Sequence, residues 1–192
     1  MTNLSEQSRG TPLESPVSSL PPVTVFFSFL DKRSFAWITT HKIVESIRHG
    51  LPAGTKVARY HNSYDPFGWG SGERLTHAWA VAVKLHCDDK IIEPLFVAIQ
   101  QRKEISDLEG IREVFAKVGV SKTDFDRAWN EDTVLKEKDW MNEVCRKVGP
   151  EKMPAIVLKG TYVVNVDDME DKEDFGRRTQ EMVKGLLQSD KA

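Results

Sequence analysis

The stretch that decides the fold is Val23-Thr24-Val25-Phe26-Phe27-Ser28-Phe29-Leu30, followed directly by the polar residues Asp31-Lys32-Arg33-Ser34. The first eight residues are almost all apolar, aromatic or β-branched, which predicts a buried strand. From Phe35 to Ile47 the apolar positions change to a helical period. A buried strand that turns straight into a helix aims free backbone N–H groups at the space above the strand end, where negative charge is favoured. Residues 31–34 are therefore the first candidate site.

Composition excludes several classes of protein. The chain has 192 residues, 40% of them hydrophobic, and a formal charge of -2. These values predict one ordinary globular domain, or one domain with a large insertion, and no nucleic-acid partner. The longest uncharged apolar stretch, Leu20 to Leu30, is too short to span a membrane. No signal peptide is visible at the N-terminus, which predicts a cytoplasmic protein or one whose export signal has been removed.

Cys87 and Cys145 are the two cysteines, and they do not form a Cys-x-x-Cys motif. The histidines His61, His77 and His86 do not stand in ligand spacing to them. We therefore expect no metal site and no cofactor.

The order of the predicted elements indicates an interrupted α/β domain. A strand, a helix and a second strand (residues 55–60) come first, and residues 73–148 are entirely helical in pattern. A hairpin over residues 155–164, with Gly160 in its turn, and a final amphipathic helix over residues 171–187 close the chain. The predicted domains are a first part over 1–62, with an extended arm at 1–20, a helical insertion over 63–148, and a second part over 149–192.

Many short sequence motifs, in their order along the chain, resemble the DsbA family, the thioredoxin-fold thiol oxidases of the bacterial periplasm. The resemblance covers about residues 13–187 and implies a thioredoxin-like fold with an inserted all-helical domain. The words that carry it are Phe26-Phe27-Ser28-Phe29, Leu51-Pro52-Ala53-Gly54, Tyr60-His61, Thr76-His77-Ala78-Trp79-Ala80-Val81-Ala82, Pro94-Leu95-Phe96, Ile111-Arg112-Glu113-Val114-Phe115, Ala128-Trp129-Asn130, Met153-Pro154-Ala155 and Lys159-Gly160-Thr161-Tyr162.

The sequence departs from the family at the site itself. The family has Cys-Pro-His-Cys where this chain has Asp31, Lys32, Arg33 and Ser34, and two supporting acids of the family correspond to Val25 and Ile38. Disulfide exchange needs a thiolate and a second, resolving thiol, which these four residues do not supply. From this turn we predict a degenerate site with no catalytic residue, in a protein that is not an enzyme.

Each residue of the turn has a structural interpretation beside a functional one. Asp31 is predicted to cap the helix, a contribution of about 0.5–2 kcal/mol. Lys32 and Arg33 form either a solvated turn or a positively charged spot suited to an acidic partner. Ser34 allows an alternative: the kappa-class glutathione transferases resemble DsbA and use a serine in this turn, although at the position of Asp31.

The resemblance also implies a peptide groove. The family's cis-proline loop corresponds to Met153 and Pro154, and we predict that these residues, with Phe29 and Leu30, bind an extended or unfolded peptide by strand addition. The predicted protein is a monomeric peptide-binding, chaperone or assembly factor with a specific periplasmic client. An accessory role in a disulfide pathway is the other alternative. If the protein is exported, Cys87 and Cys145 could form a disulfide, although free buried thiols are favoured.

Overall fold

The computed structural model describes residues 10–65, 71–103, 105, 107–149, 153–170 and 172–189. Within these residues, five strands form one sheet, and eight α-helices lie around and beside it. The strands are β1 (Gly10–Pro12), β2 (Val23–Phe27), β3 (Val57–His61), β4 (Ala155–Leu158) and β5 (Tyr162–Val164). The helices are α1 (Lys32–Phe35), α2 (Ile43–Gly50), α3 (Ser71–Lys84), α4 (Asp88–Phe96), α5 (Leu108–Lys117), α6 (Lys122–Trp129), α7 (Asp132–Val148) and α8 (Phe175–Ser189).

The sheet is mixed, with the strand order β1-β5-β4-β2-β3. Strand β2 pairs in parallel with β3 and antiparallel with β4, while β5 pairs antiparallel with both β4 and β1. Every residue of β2 is buried, because helices cover both faces of the sheet at this strand. The predicted strands and the hairpin are therefore confirmed, with boundaries that differ by a few residues.

The alternation of side chains along β2 builds two clusters. Val23, Val25 and Phe27 enter the main cluster, which continues through Phe29 into the helical block at Trp79, and Phe26 enters a second cluster on the opposite face. The rings of Phe27 and Trp79 meet edge to face, with centroids 5.1 Å apart. One hydrophobic core thus joins the sheet to the helices. The proposed division into domains at residues 62 and 148 stays a prediction.

The first helix is interrupted, where the sequence predicts a continuous one to His49. A π-helical turn, Ala36–Thr40, follows α1, and Lys42 takes a left-handed conformation (φ 48°) before α2 begins. The Thr39 hydroxyl donates to the Phe35 carbonyl at 2.7 Å, a side-chain bond that competes with the regular helix. A second π-helical turn, Val97–Gln101, follows α4.

The described part of the N-terminal arm is fixed onto the hairpin. Leu13 and Val17 are buried, and their N–H groups donate to Thr161 and Gly160, each at 2.8 Å. Gly160 has a φ of 66°, and a Cβ added there would lie 1.9 Å from the Val17 carbonyl oxygen. The turn therefore requires glycine both for its conformation and for the close approach of the arm. The sequence does not predict strand β1.

Arg59 in β3 connects the sheet to the helical block. Its side chain is 2% exposed and forms ion pairs with Asp88 and Asp89 at the beginning of α4, at 2.5 and 2.6 Å. The guanidinium also lies over the Trp79 ring, 5.1 Å from its centroid, and Trp79 Nε1 donates to the Arg59 carbonyl at 2.9 Å. In the described ranges, no helix is long and apolar enough to cross a membrane.

Candidate functional site

The strand-to-helix turn is closed by Asp31. Its carboxylate accepts a hydrogen bond from the Ser34 N–H at 2.6 Å, and its backbone is extended, as in a helix N-cap. The prediction that Asp31 caps the helix is confirmed. The carboxylate thus occupies the place where the amide groups of the first helical turn favour negative charge.

Ser34 faces inward and is not accessible. Its side chain is fully buried, and its hydroxyl oxygen accepts from the Ser28 N–H at 3.1 Å. A serine that activates glutathione must reach the sulfur of its ligand, and this one cannot do so without unfolding the turn. The structure therefore contradicts the alternative in which Ser34 acts as in a kappa-class transferase.

Two side chains that the sequence analysis missed form hydrogen bonds to the backbone of the turn. His61, at the end of β3, accepts from the Phe29 N–H through Nε2 at 3.0 Å. Gln100, in the second π-helical turn, donates its amide to the carbonyl oxygens of Phe29 and Asp31 at 2.8 and 2.9 Å. A polar residue ending a buried strand was a signal for His61, whereas Gln100 gave none because its role depends on tertiary contact.

The chemistry of His61 follows from its burial. The ring is fully buried, and burial lowers the pKa of His61 from 6.5 to about 3. Because Nε2 accepts a hydrogen bond, the proton of the neutral ring lies on Nδ1 and is donated to the Thr76 hydroxyl at 2.7 Å. Thr76 in turn donates to the Gly72 carbonyl at 3.1 Å. This chain of bonds fixes one tautomer and one ring orientation.

Arg33 does not present a free positive charge. Its guanidinium donates to Asp167 at 3.1 Å and to Glu170 at 2.6 Å, and the Trp37 indole N–H donates to the same Glu170 oxygen at 2.6 Å. The hydrogen bond that Arg33 donates to Glu170 is the largest effect that raises the pKa of Arg33. The interpretation of Lys32 and Arg33 as a positive spot for an acidic partner therefore fails at Arg33, while Lys32 is exposed.

An open groove of about 360 Å³ lies beside this cluster. Arg33, Trp37 and Pro154 all line it, and the Met153–Pro154 peptide bond is cis. The remaining lining residues come from β1, from the beginning of β4, from β5 and from the segments that follow β1 and β5: Thr11, Pro12, Leu13, Ala155, Val163, Val164, Asn165, Val166 and Asp167.

The predicted peptide-binding residues are placed differently from one another. Pro154 lines the groove, Met153 precedes it with 8% of its surface exposed and does not line the groove, and Leu30 is half-buried at the turn. Phe29 is fully buried, stacked on the His61 ring at a centroid distance of 4.9 Å. Its side chain therefore belongs to the core and not to the groove surface.

The two cysteines are free thiols and both are buried. Burial raises the pKa of Cys87 to about 11 and that of Cys145 to about 12, and the Cys145 thiol donates to the His61 carbonyl. The structure therefore contains no disulfide between them. Among the described residues, no group of three or more His, Cys, Asp or Glu side chains is arranged to hold a metal ion.

A larger cavity, of about 530 Å³, lies away from the turn. Its described lining includes neither residues 28–34 nor the Met153–Pro154 loop. The lining residues follow β3 or lie on α3 and α7: Asn62, Ser63, Tyr64, Glu73, Lys138, Asp139, Asn142, Cys145 and Arg146. We therefore place the candidate site at the smaller groove, next to the turn.

Comparison with known proteins finds relatives named DsbA. No family model matches the chain. The thiol:disulfide interchange protein DsbA of Escherichia coli K12 is 32% identical over 160 residues, which cover 83% of this chain and 76% of the relative. The protein of that name from Salmonella typhimurium LT2 is 32% identical over 159 residues, covering 82% and 75%. The structure of Proteus mirabilis DsbA with a non-covalently bound peptide superposes with a TM-score of 0.86 at 30% identity, covering 94% of this chain and 96% of that one.

The sheet order and the helical block between β3 and β4 define the class of thioredoxin-like folds with an inserted helical domain. This fold class agrees with the prediction from the sequence. The chain belongs to the DsbA family.

The prediction that the chain is not an enzyme is contradicted by these relatives. They are named thiol:disulfide interchange proteins, which are oxidoreductases, and they match over most of the chain. The prediction is drawn from four residues, Asp31 to Ser34, and is then applied to the whole protein. That these four residues contain no cysteine remains a fact of the sequence.

Proposed function

We propose that this DsbA-family protein binds an extended peptide segment of a periplasmic client in the groove between Pro154, Trp37 and strand β5. The groove itself is the observation that carries the proposal. It is partly open to solvent, its volume of about 360 Å³ suits a few peptide side chains, and its lining contains both apolar and polar groups.

The backbone beside the groove supports binding by strand addition. The β2–β4 ladder ends at the pair of Phe26 and Ala155, so Met153 lies just beyond it. Within the described residues, the backbone of Met153 forms no hydrogen bond, which leaves its N–H and carbonyl groups for a peptide. Strand addition uses main-chain groups for affinity and pockets for specificity, and it does not depend on sulfur at residues 31–34.

A structural neighbour supports the same mode. The Proteus mirabilis DsbA structure is a complex with a non-covalently bound peptide of sequence Pro-Trp-Ala-Thr-Cys-Asp-Ser. In that protein, a peptide is held without a covalent bond. The corresponding event in this chain would place a client segment against Pro154, beside the turn that Asp31 closes.

Calorimetric titration with that heptapeptide tests the proposal. We expect saturable binding to the wild-type protein and clear loss of affinity in Asn165→Trp, because Asn165 is exposed and lines the groove. Leu135→Trp adds the same ring at an exposed position of α7 and serves as the matched control. Binding that is absent in the wild type, or equal in both variants at unchanged melting temperature, would refute the proposal.

A further inference from the structure

The cluster of Arg33, Asp167, Glu170 and Trp37 gives one wall of the groove a definite charge. A single guanidinium meets two carboxylates, so one negative charge is left over. Glu170 is turned inward, with 25% of its side chain exposed, and both Arg33 and Trp37 donate to one of its oxygens. Asp167 lines the groove, with 76% of its side chain exposed. The excess charge is therefore presented at Asp167.

The geometry points to a specificity-determining role for Asp167: we propose that the groove prefers client segments carrying a lysine or arginine side chain over segments carrying an acidic one. This inference rests on the proposed function, and it names the class of peptide. A basic side chain would meet the second carboxylate oxygen of Asp167, since Oδ1 already accepts from Arg33. An acidic side chain would find the guanidinium of Arg33 already paired with two carboxylates and would be repelled by Asp167.

The pairing of Arg33 is what makes the preference a property of this chain. Without Asp167 and Glu170, Arg33 would favour acidic segments, as its position in the sequence suggests. With both carboxylates in place, the sign of the wall is reversed. Substitutions at the two ends of the ion pair are therefore expected to shift the preference in opposite directions.

Two acetylated and amidated heptapeptides test the proposal, Pro-Trp-Ala-Thr-Cys-Lys-Ser and Pro-Trp-Ala-Thr-Cys-Glu-Ser, each titrated by calorimetry. At low ionic strength we expect the lysine peptide to bind about fivefold more tightly, since exposed ion pairs contribute little individually. Added salt at about 0.5 M should bring the two affinities together. Asp167→Asn should abolish the preference, and Arg33→Gln should increase it.

Asp139→Asn is the matched control. Its carboxylate is 71% exposed, close to that of Asp167, but it lines the larger, remote cavity. We expect this variant to keep the wild-type preference. If both peptides bind the wild type with equal affinity, or if the glutamate peptide binds more tightly, the charge preference is refuted and the proposed function stands. If neither peptide binds, the proposed function itself fails.

Discussion

The buried histidine behind the turn makes a quantitative prediction about stability and pH. In the folded protein, burial lowers the pKa of His61 to about 3, while in the unfolded chain it returns to about 6.5. Between these values the unfolded state binds more protons, so the contribution of His61 to stability is complete above pH 6.5 and is lost as the pH falls towards 3. From pH 7.5 to pH 5 the loss is about 2 kcal/mol, at 1.36 kcal/mol for each pH unit below about 6.5.

Urea denaturation at the two pH values measures this loss. With a slope of about 2 kcal/mol per molar urea, the midpoint should fall by about 1 M. His61→Gln keeps an acceptor for the Phe29 N–H but cannot titrate, so we expect a lower stability that changes little over the same pH range. His77→Gln is the control, and we expect it to keep most of the wild-type change. Burial also lowers the pKa of His77, but its ring is only half-buried.

The pH range lies above the titration of carboxylates whose pKa is lowered in the folded protein, whereas burial raises the pKa of Glu137, whose protonation opposes the loss from His61. Burial acts to raise the pKa of Asp89, but Arg48 and Arg59 together lower it, so the contribution of Asp89 to stability is lost only below the range tested. A His61→Gln variant that keeps the full wild-type change between pH 7.5 and 5 would refute the reasoning, since Glu137 acts equally in both proteins. An NMR titration in which the His61 ring protonates near pH 6.5 would do the same.

Three further predictions concern an ion pair, a turn glycine and a helix cap. Arg59→Met should lower the free energy of unfolding by about 2 kcal/mol, since it leaves unpaired acids that are only partly solvated. Adding Asp88→Asn should restore part of the lost stability. If the double variant shows no recovery, the ion pair is not the cause of the loss. Gly160→Ala should destabilise the protein by more than about 2 kcal/mol, because of the positive φ of Gly160 and the close Val17 carbonyl. Gly185→Ala, in open space on α8, should stabilise it by about 0.5–1 kcal/mol. Equal effects of the two substitutions in thermal unfolding would contradict this prediction. Asp31→Ala should lose about 0.5–2 kcal/mol and Asp31→Asn much less, measured by denaturation, and equal losses would show that the cap bond does not matter.

The elements that could be predicted from the sequence are those whose pattern is local. Strand β2 is a continuous run of apolar and β-branched residues, and Gly160 marks the hairpin by its turn chemistry. The helices of the insertion follow from their period, and Asp31 follows from N-cap preference. Strand β1 has three residues and no period, so nothing in Gly10–Pro12 distinguishes it from an arm.

The parts of the site that could not be predicted depend on contacts between distant segments. Arg33 resembles a free cation in the sequence because its partners, Asp167 and Glu170, lie 134 and 137 residues away. Gln100 reaches the turn only because the second π-helical turn places it there. The inward orientation of Ser34 depends on a nearer residue, since its hydroxyl accepts from the Ser28 N–H outside its own helix.

The sheet order constrains when this protein can complete its folding. Strand β2 lies between β3, which follows closely in the chain, and β4, which follows only after the entire helical block. The edge strand β1 lies in the first described segment, and its pairing partner β5 is the last strand along the chain. A chain that emerges N-terminus first thus carries the unpaired edges of β1 and β2 until its final fifth arrives, while the helices, built on local contacts, can form earlier. Exposure to aggregation before completion, and the benefit of a chaperone during that interval, follow from topology alone.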